Sequence, residues 1–451
     1  MPKSKELFIC QNCGASSPKW QGQCAGCGEW NTLLAELSSA IPRRPARSSR
    51  APRSDRSSSL AAEALVEQAR LTTGSTELDR VLGGGLVPGS VTLIGGDPGI
   101  GKSTLMLQAA AALQPSGPVL YATGEESLSQ VALRGRRLGV EAATARLLAE
   151  TCVEVIVGAA SGLGARALIV DSIQTMYSER IDAAPGAVSQ LRECTAELVR
   201  FAKMSGTAVL LIGHVTKEGQ IAGPRVLEHM VDTVLYFESD TGSRFRVLRS
   251  VKNRFGAANE IGVFAMLEQG LREVKNPSAI FLSRHAEPVP GSVITVMREG
   301  TRSLLIEVQV LADAALGANP RRVAVGIDGN RLTMLLAVAH RHAGLQLQGQ
   351  DVFANVVGGV RLAETAGDLA IVMAARSSLR DVPLPNSLIA FGELGLAGEI
   401  RPVPFGEERL REAAKHGFTL AVVPEANVPK RPPDGMSVRG VTRLNQALDA
   451  L

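Results

Sequence analysis

Five short apolar runs punctuate the middle of the chain: residues 90–95 (SVTLIG), 118–122 (PVLYA), 167–170 (ALIV), 208–212 (AVLLI) and 233–237 (TVLYF). None alternates with polar positions, so each reads as a strand covered on both faces, the pattern of a parallel sheet. Helical periodicity fills the gaps, most clearly over 103–113 and 187–204. Strand and helix in alternation predict an open, wound α/β sheet over residues 61–275. From about 276 the rhythm changes. Runs at 292–298 and 304–311 suggest a hairpin, and helices follow near 331–343 and 366–378. An apolar stretch covers 388–398, and a helix near 407–417 leads to a strand at 420–423. That order predicts a separate α+β domain over 276–451. Residues 1–37 hold four of the six cysteines and both tryptophans. Residues 38–60 are Ser, Arg, Pro and Ala with little to bury, which is the composition of a flexible tether.

Composition narrows the class. With 45% hydrophobic and 20% charged residues in a chain of 451, several packed domains are expected. No apolar stretch is long enough for a membrane span, and the start, MPKSKELFIC, has no apolar signal core. A cytoplasmic, reducing location is therefore expected, and the cysteines read as metal ligands or buried thiols before disulfides. Net charge is +4, but six arginines and one aspartate give residues 38–60 +5 and leave the rest at −1. Net charge alone thus does not point to nucleic acid, and a solvated linker is the favoured reading of the basic tract.

Cys10-x2-Cys13 is followed after ten residues by Cys24-x2-Cys27, with Gly14 and Gly28 after the knuckles. Two such knuckles let four thiolates converge tetrahedrally on one Zn²⁺. Four protein ligands leave no place for a catalytic water, so the zinc is expected to organise a small binding module, facing DNA or a neighbouring subunit. Cys152 and Cys194 lie apart and read as inert buried thiols.

The first strand leads into Gly96-Asp97-Pro98-Gly99-Ile100-Gly101-Lys102-Ser103-Thr104, which fits G-x4-G-K-[ST]. The glycines let successive amides curl round a phosphate, Lys102 is expected at the β- and γ-phosphates, and Ser103 at Mg²⁺. The helix beginning at Lys102 adds its positive end. The run ALIV ends at Asp171, placed to share the Mg²⁺ shell. Glu125 and Glu126 follow a strand at the edge where ligands collect, so either carboxylate is a candidate to orient the attacking water. His214 closes another strand at that edge and is a candidate γ-phosphate contact. The polar, glycine-rich loop 216–224 is a candidate DNA contact, with Lys217 expected at a phosphate.

Three segments together resemble the bacterial RadA (Sms) family: FICQNCGASSPKWQGQCAGCGEWNTL, TGSTELDRVLGGGLVPGSVTLIGGDPGIGKST, and Lys252-Asn253-Arg254-Phe255-Gly256. The resemblance implies cytoplasmic DNA-repair and recombination ATPases with a zinc finger (1–37), a linker (38–60), a RecA-like core (61–275) and a domain similar to the Lon protease (276–451). It further implies hexameric rings, single-stranded and branched DNA as ligands, a RecA-type recombinase as partner, and branch migration driven by ATP. By pattern alone, KNRFG is a charged turn after a strand at 245–251. The resemblance makes Lys252 and Arg254 candidates for contacting γ-phosphate in trans or for touching DNA.

Lon-like proteolysis uses a serine activated by a lysine. The stretch matching the serine context is Glu364-Thr-Ala-Gly-Asp368, and the one matching the lysine context is Phe405-Gly-Glu407-Glu-Arg-Leu410. Asp368 and Glu407 stand at the two catalytic positions, so the domain reads as a proteolytically inactive scaffold. The leading expectation is a DNA-dependent motor ATPase using ATP, Mg²⁺ and Zn²⁺. An ATP-dependent protease and a non-hydrolysing nucleotide switch are the alternatives. Aromatic residues are only 4% of the chain, so extensive base stacking is not expected, and backbone contact is.

Overall fold

The computed structural model describes residues 5–10, 15–38, 69–140, 145–214, 224–238, 244–280, 282, 287–315, 317, 319–358 and 360–449. The tether, from residue 39 on, lies outside them, as do Cys13, Lys217 and most of the 216–224 loop. Contacts divide the chain into two units, 1–274 and 275–451.

The first unit begins with a small antiparallel sheet of β1 (Lys5–Cys10), β2 (Ser16–Ser17) and β3 (Leu33–Ser38), in the order β2-β1-β3. The hydrophobic pattern did not announce these strands; among the described residues their core is Cys10, Cys24 and Leu33, with Phe8 and Ala15 against it.

After helix α1 (Thr76–Val81) comes the wound sheet. Its parallel strands are β4 (Val91–Gly95), β5 (Val119–Thr123), β6 (Arg146–Ala149), β7 (Ala167–Asp171), β8 (Ala208–Ile212) and β9 (Thr233–Glu238). Three antiparallel strands extend it: β10 (Phe245–Asn253), β11 (Ile261–Leu267) and β12 (Gly270–Glu273). The order is β12-β11-β10-β9-β4-β8-β7-β5-β6. All five predicted apolar runs are strands, and β4, β5, β7 and β8 are buried throughout. β6 escaped prediction because it is an edge strand with no fully buried residue.

Each face of the sheet has its own core. Helices α2 (Lys102–Leu113) and α3 (Leu128–Arg137) supply Leu105, Met106 and Val131 to one, against Ile94, Tyr121 and Ile169. Helices α4 (Val153–Leu163) and α5 (Val188–Ser205) supply Ile156, Leu191 and Leu198 to the other, against Leu93, Leu168 and Leu211. A short helix, α6 (Pro224–Glu228), precedes β9. Burial on two faces is why these strands lack alternation.

The second unit is a mixed seven-stranded sheet. Its strands are β13 (Ser292–Glu299), β14 (Arg302–Ala314), β15 (Arg322–Val325), β16 (Gln350–Val356), β17 (Leu388–Ala390), β20 (Leu420–Pro424) and β21 (Ser437–Val441), with a separate pair β18 (Glu393–Leu394) and β19 (Ile400–Arg401). The order is β15-β16-β14-β13-β17-β20-β21, and β13 and β14 form the expected hairpin. Helices α7 (Gly329–Ala343), α8 (Asp368–Arg380), α9 (Gly406–Lys415) and α10 (Leu444–Asp449) complete it. No helix among the described residues is long and apolar enough to cross a membrane.

Candidate nucleotide and metal sites

The loop between β4 and α2 is held by its own glycines. Gly99 and Gly101 have φ of +76° and +119°, and a side chain at Gly101 would stand 2.7 Å from Met266 Cε. Gly101 is also the α2 N-cap and offers no side chain to the first helical amides. Those amides remain available for an anion. Arg246 of β10 donates from Nε to the Ile100 carbonyl at 3.2 Å, bracing the loop from the antiparallel strands.

Lys102 is 3% exposed and lies folded on this loop. Its ammonium donates to the carbonyls of Gly96 (2.6 Å) and Asp97 (2.9 Å) and lies 3.3 Å from His214 Nδ1. Burial pulls its pKa down to about 8, against the partial support of Asp171, Glu125 and Asp97. His214 Nε2 is 2.9 Å from a Glu125 oxygen. An ammonium can only donate, so Nδ1 must accept and Nε2–H must donate to Glu125. The His214 hydrogen bond is the main reason the Glu125 carboxyl lies below its ordinary range, with Ser172 Oγ donating to the same oxygen.

Glu125 and Glu126 part company at one turn. Thr123 Oγ1 accepts from the Glu126 amide (3.1 Å) and bonds its carbonyl (3.0 Å). The Glu126 carboxylate is paired with Arg134 of α3, while Glu125 points to Ser172 and His214. Asp171 ends β7, 4% exposed. Its Oδ2 accepts from Tyr121 (2.5 Å), and its Oδ1 is buried with no hydrogen bond among the described residues. An orphaned carboxylate oxygen fits a hard cation or its water shell, with the half-buried Ser103 as the other oxygen donor. Because β4, β5, β7 and β8 are mutually parallel, all these groups meet at one sheet edge. Tyr121, Ser172 and Arg246 were not foreseen, since none belongs to a motif and only pairing brings them in.

KNRFG lies elsewhere. Lys252 and Asn253 are in β10 rather than in a turn, and the register against β9 shifts between Ser250 and Lys252. The turn expected from charge is displaced because Asn253 still pairs with Thr233. Lys252 Nζ donates to the carbonyls of Glu228 (2.7 Å) and Val231 (2.9 Å). Arg254 Nη1 bonds Asp232 Oδ1 (3.1 Å), and Asp232 Oδ2 accepts from the Val91 amide (3.1 Å). Val91 is the first residue of β4, so Arg254 sits at the opposite end of that strand from its own phosphate loop. Arg254 is 54% exposed at its side chain. Gly256 packs on Gly83, and a side-chain carbon there would stand 2.7 Å from Gly83 Cα.

In the N-terminal sheet, the sulfur atoms of Cys10, Cys24 and Cys27 lie within 4.8 Å of one another, and Cys10 Sγ is 3.7 Å from Cys27 Sγ. Tetrahedral zinc with bonds of about 2.3 Å needs sulfur separations of about 3.8 Å. The three thiols therefore fit zinc, and the fourth expected ligand, Cys13, falls outside the described residues. Cys152 and Cys194 are buried, and burial pushes the Cys194 thiol up to about 12, which leaves it unreactive.

In the second unit, Asp368 opens α8 as a buried carboxylate, paired with Arg331 and accepting from the Leu394 amide at 3.1 Å. Glu407 is exposed and paired with Arg411 one turn along α9. Neither position presents a serine or a lysine.

Comparison with known proteins agrees with this architecture. Family models match at residues 8–34 (rubredoxin metal binding domain), 55–220 (AAA domain) and 334–427 (subunit ChlI of Mg-chelatase). The chain is 58% identical to the DNA repair protein RadA of Pseudomonas aeruginosa over 100% of both chains. It is 54% identical to that of Escherichia coli over 98% of both, and 51% identical to that of Bacillus subtilis over 99% of both. A zinc ribbon, a P-loop ATPase sheet and a Lon-like unit, at this identity over full length, make the chain a member of the RadA family of DNA repair proteins.

Proposed function

We propose that the chain is a DNA-dependent ATPase that binds single-stranded DNA and drives branch migration of recombination intermediates. The observation that carries this reading is the cluster of Lys102, Glu125, Asp171 and His214 at one sheet edge, on a chain whose relatives are named DNA repair proteins. In this reading the four parts are a zinc module (1–37), a tether (38–60), the ATPase (61–275) and an inactive Lon-like scaffold (276–451).

Residues 96–104 bind the phosphates of ATP. Ser103 and Asp171 would hold Mg²⁺, which supplies charge neutralisation at the phosphates when bound. Lys102 leaves the Gly96 and Asp97 carbonyls for the β- and γ-phosphates, a move that also breaks its contact with His214. Glu125, ionised and held by Ser172 and His214, orients the attacking water. Release of His214 from Lys102 reports nucleotide arrival to the 216–224 loop, where Lys217 contacts DNA. Arg254, half-exposed and remote from its own loop, stabilises the transition state on a neighbouring subunit. Lys252, tied to the Glu228 and Val231 carbonyls in the isolated chain, acts with it, and DNA is the alternative ligand for both. This trans role requires a homo-oligomer, expected to be a hexameric ring. A RecA-type recombinase is the expected partner and the cytoplasm the expected location. Asp368 and Glu407 argue against the protease alternative.

The reading is tested with a labelled three-strand recombination intermediate. ATP should extend the heteroduplex, while a non-hydrolysable analogue and Glu125→Gln should not. Equal extension under all three conditions would refute a motor.

A further inference from the structure

The only two tryptophans of the chain, Trp20 and Trp30, both lie in the zinc ribbon, and neither joins its core. They are 56% and 67% exposed. Indoles carry the largest apolar surface of any side chain and are normally well covered. These two are neighbours. A side-chain carbon at Gly22 would stand 3.4 Å from Cζ3 of Trp30 and 3.9 Å from Cη2 of Trp20. Gly22 therefore puts no side chain between the two rings.

The backbone beneath them is fixed. Trp30 pairs with Gln23 in an antiparallel bridge, and the Asn31 amide donates to the Gly22 carbonyl at 2.7 Å. Gln23 Nε2 donates to the Gly28 carbonyl at 2.7 Å, closing the same turn that carries Cys24 and Cys27. On the other side, Ser17 Oγ donates to the Lys19 carbonyl at 2.6 Å and accepts from the Lys19 amide at 3.3 Å. The turn that carries two of the metal thiols thus also fixes the backbone of Trp30, with Trp20 just before it, which lowers the ordering cost of binding.

Charge narrows what covers them. Apart from the cysteines, which would bind zinc as thiolates, Lys19 and Glu29 are the only charged residues between 15 and 34, and they cancel. The tract just downstream, 38–60, carries +5. Uncharged ring faces on a segment followed in sequence by a basic tract match a ligand in which flat neutral rings alternate with anionic links. The low aromatic content still excludes a long stacking track, but two rings on one surface suffice for one or two bases.

We propose that Trp20 and Trp30 form a stacking platform that takes bases of single-stranded DNA, with Lys19 beside them for phosphate. This rests on the DNA-binding reading above and names a surface for it. Because the chain has no other tryptophan, its indole emission reports this surface alone.

The full-length, zinc-loaded protein is titrated with oligothymidylate and with an abasic deoxyribose-phosphate oligomer of equal length. Indole emission and the anisotropy of an end-labelled strand are read together. Oligothymidylate should quench emission in step with anisotropy, and the abasic oligomer should bind without quenching. Trp20→Ala and Trp30→Ala should each weaken oligothymidylate binding about tenfold, the scale of one base–aromatic stack. Trp→Phe at either position should recover most of that loss, and zinc content and basal ATP turnover should be unchanged. A rise in anisotropy with unaltered emission, and with both alanine variants binding normally, would overturn the platform and leave DNA binding intact. No rise in anisotropy with any strand would overturn both. Quenching only when a recombinase protein is added would assign the pair to a protein partner and overturn the proposal.

Discussion

Lys102 shows how far a motif goes and where packing takes over. G-x4-G-K-S names the lysine, but its proton affinity is set by its surroundings, burial first and the carboxylates of Asp171, Glu125 and Asp97 against it. Below pH 8 the ammonium is charged with or without nucleotide, so binding carries no pH dependence from this group. Above pH 8 the free protein loses the proton that the phosphates demand, and binding must take it back. ATP affinity should therefore fall above about pH 8, by about tenfold per unit at most, with proton uptake on binding. Calorimetry at pH 8.5 in buffers of different ionisation enthalpy measures that uptake. Lys102→Arg, which stays charged, should abolish the uptake whatever its affinity. The acidic pair makes the complementary point. Glu125 and Glu126 are equivalent in sequence and become different only through the Thr123 turn and the partners on each side. Glu125→Gln should cut turnover about 10²–10⁴-fold while ATP still binds. Glu126→Gln, which breaks only the Arg134 pair, should stay within about tenfold. Steady-state and single-turnover assays of the two variants separate these outcomes.

At the scale of elements, the wound sheet was largely legible because burial on both faces leaves uninterrupted apolar runs. β4, β5, β7, β8 and β9 begin and end within a residue of their runs. The ribbon strands, β6, β11 and β12 were not expected. β6 has no fully buried residue, and each of these strands is held by pairing with its neighbours. KNRFG is the instructive case. Its charge suggests a turn, whereas Lys252 and Asn253 complete β10. Asn253 accepts from the Phe255 amide at 2.9 Å and donates to the Val81 carbonyl at 3.2 Å. Gly256 then lies against Gly83, backbone to backbone. Gly256→Ala should lower stability by about 1–3 kcal/mol, since a backbone cannot yield as a side chain can. Thermal unfolding of the variant checks this, and an unchanged midpoint would rule out the close approach.

Over the whole molecule, the ribbon and the ATPase sheet draw on separate hydrophobic clusters. Zinc should therefore be a local requirement. The protein should carry one zinc per chain by elemental analysis, and Cys24→Ser should lose it. ATP binding through Lys102 should persist in that variant, and its loss would show that the ribbon supports the phosphate loop. The two halves also differ in how they use charge. The first unit gathers Lys102, Glu125 and His214 around a site, whereas the second closes Asp368 on Arg331 and Arg409 on Glu364 as internal ties. In the sequence, Lys102 stood out by motif spacing and Glu125 and His214 by their positions at strand ends. The sequence hinted at the second only through the residues standing where a serine and a lysine would be needed.

The central claim is that phosphate cleavage at Lys102 and Glu125 is coupled to a polynucleotide. Steady-state ATP hydrolysis, titrated with single-stranded DNA, measures that coupling directly. The account predicts slow basal turnover that rises severalfold and saturates with DNA, and that is absent in Lys102→Ala at every DNA concentration. Turnover indifferent to DNA, or surviving in Lys102→Ala, would contradict it.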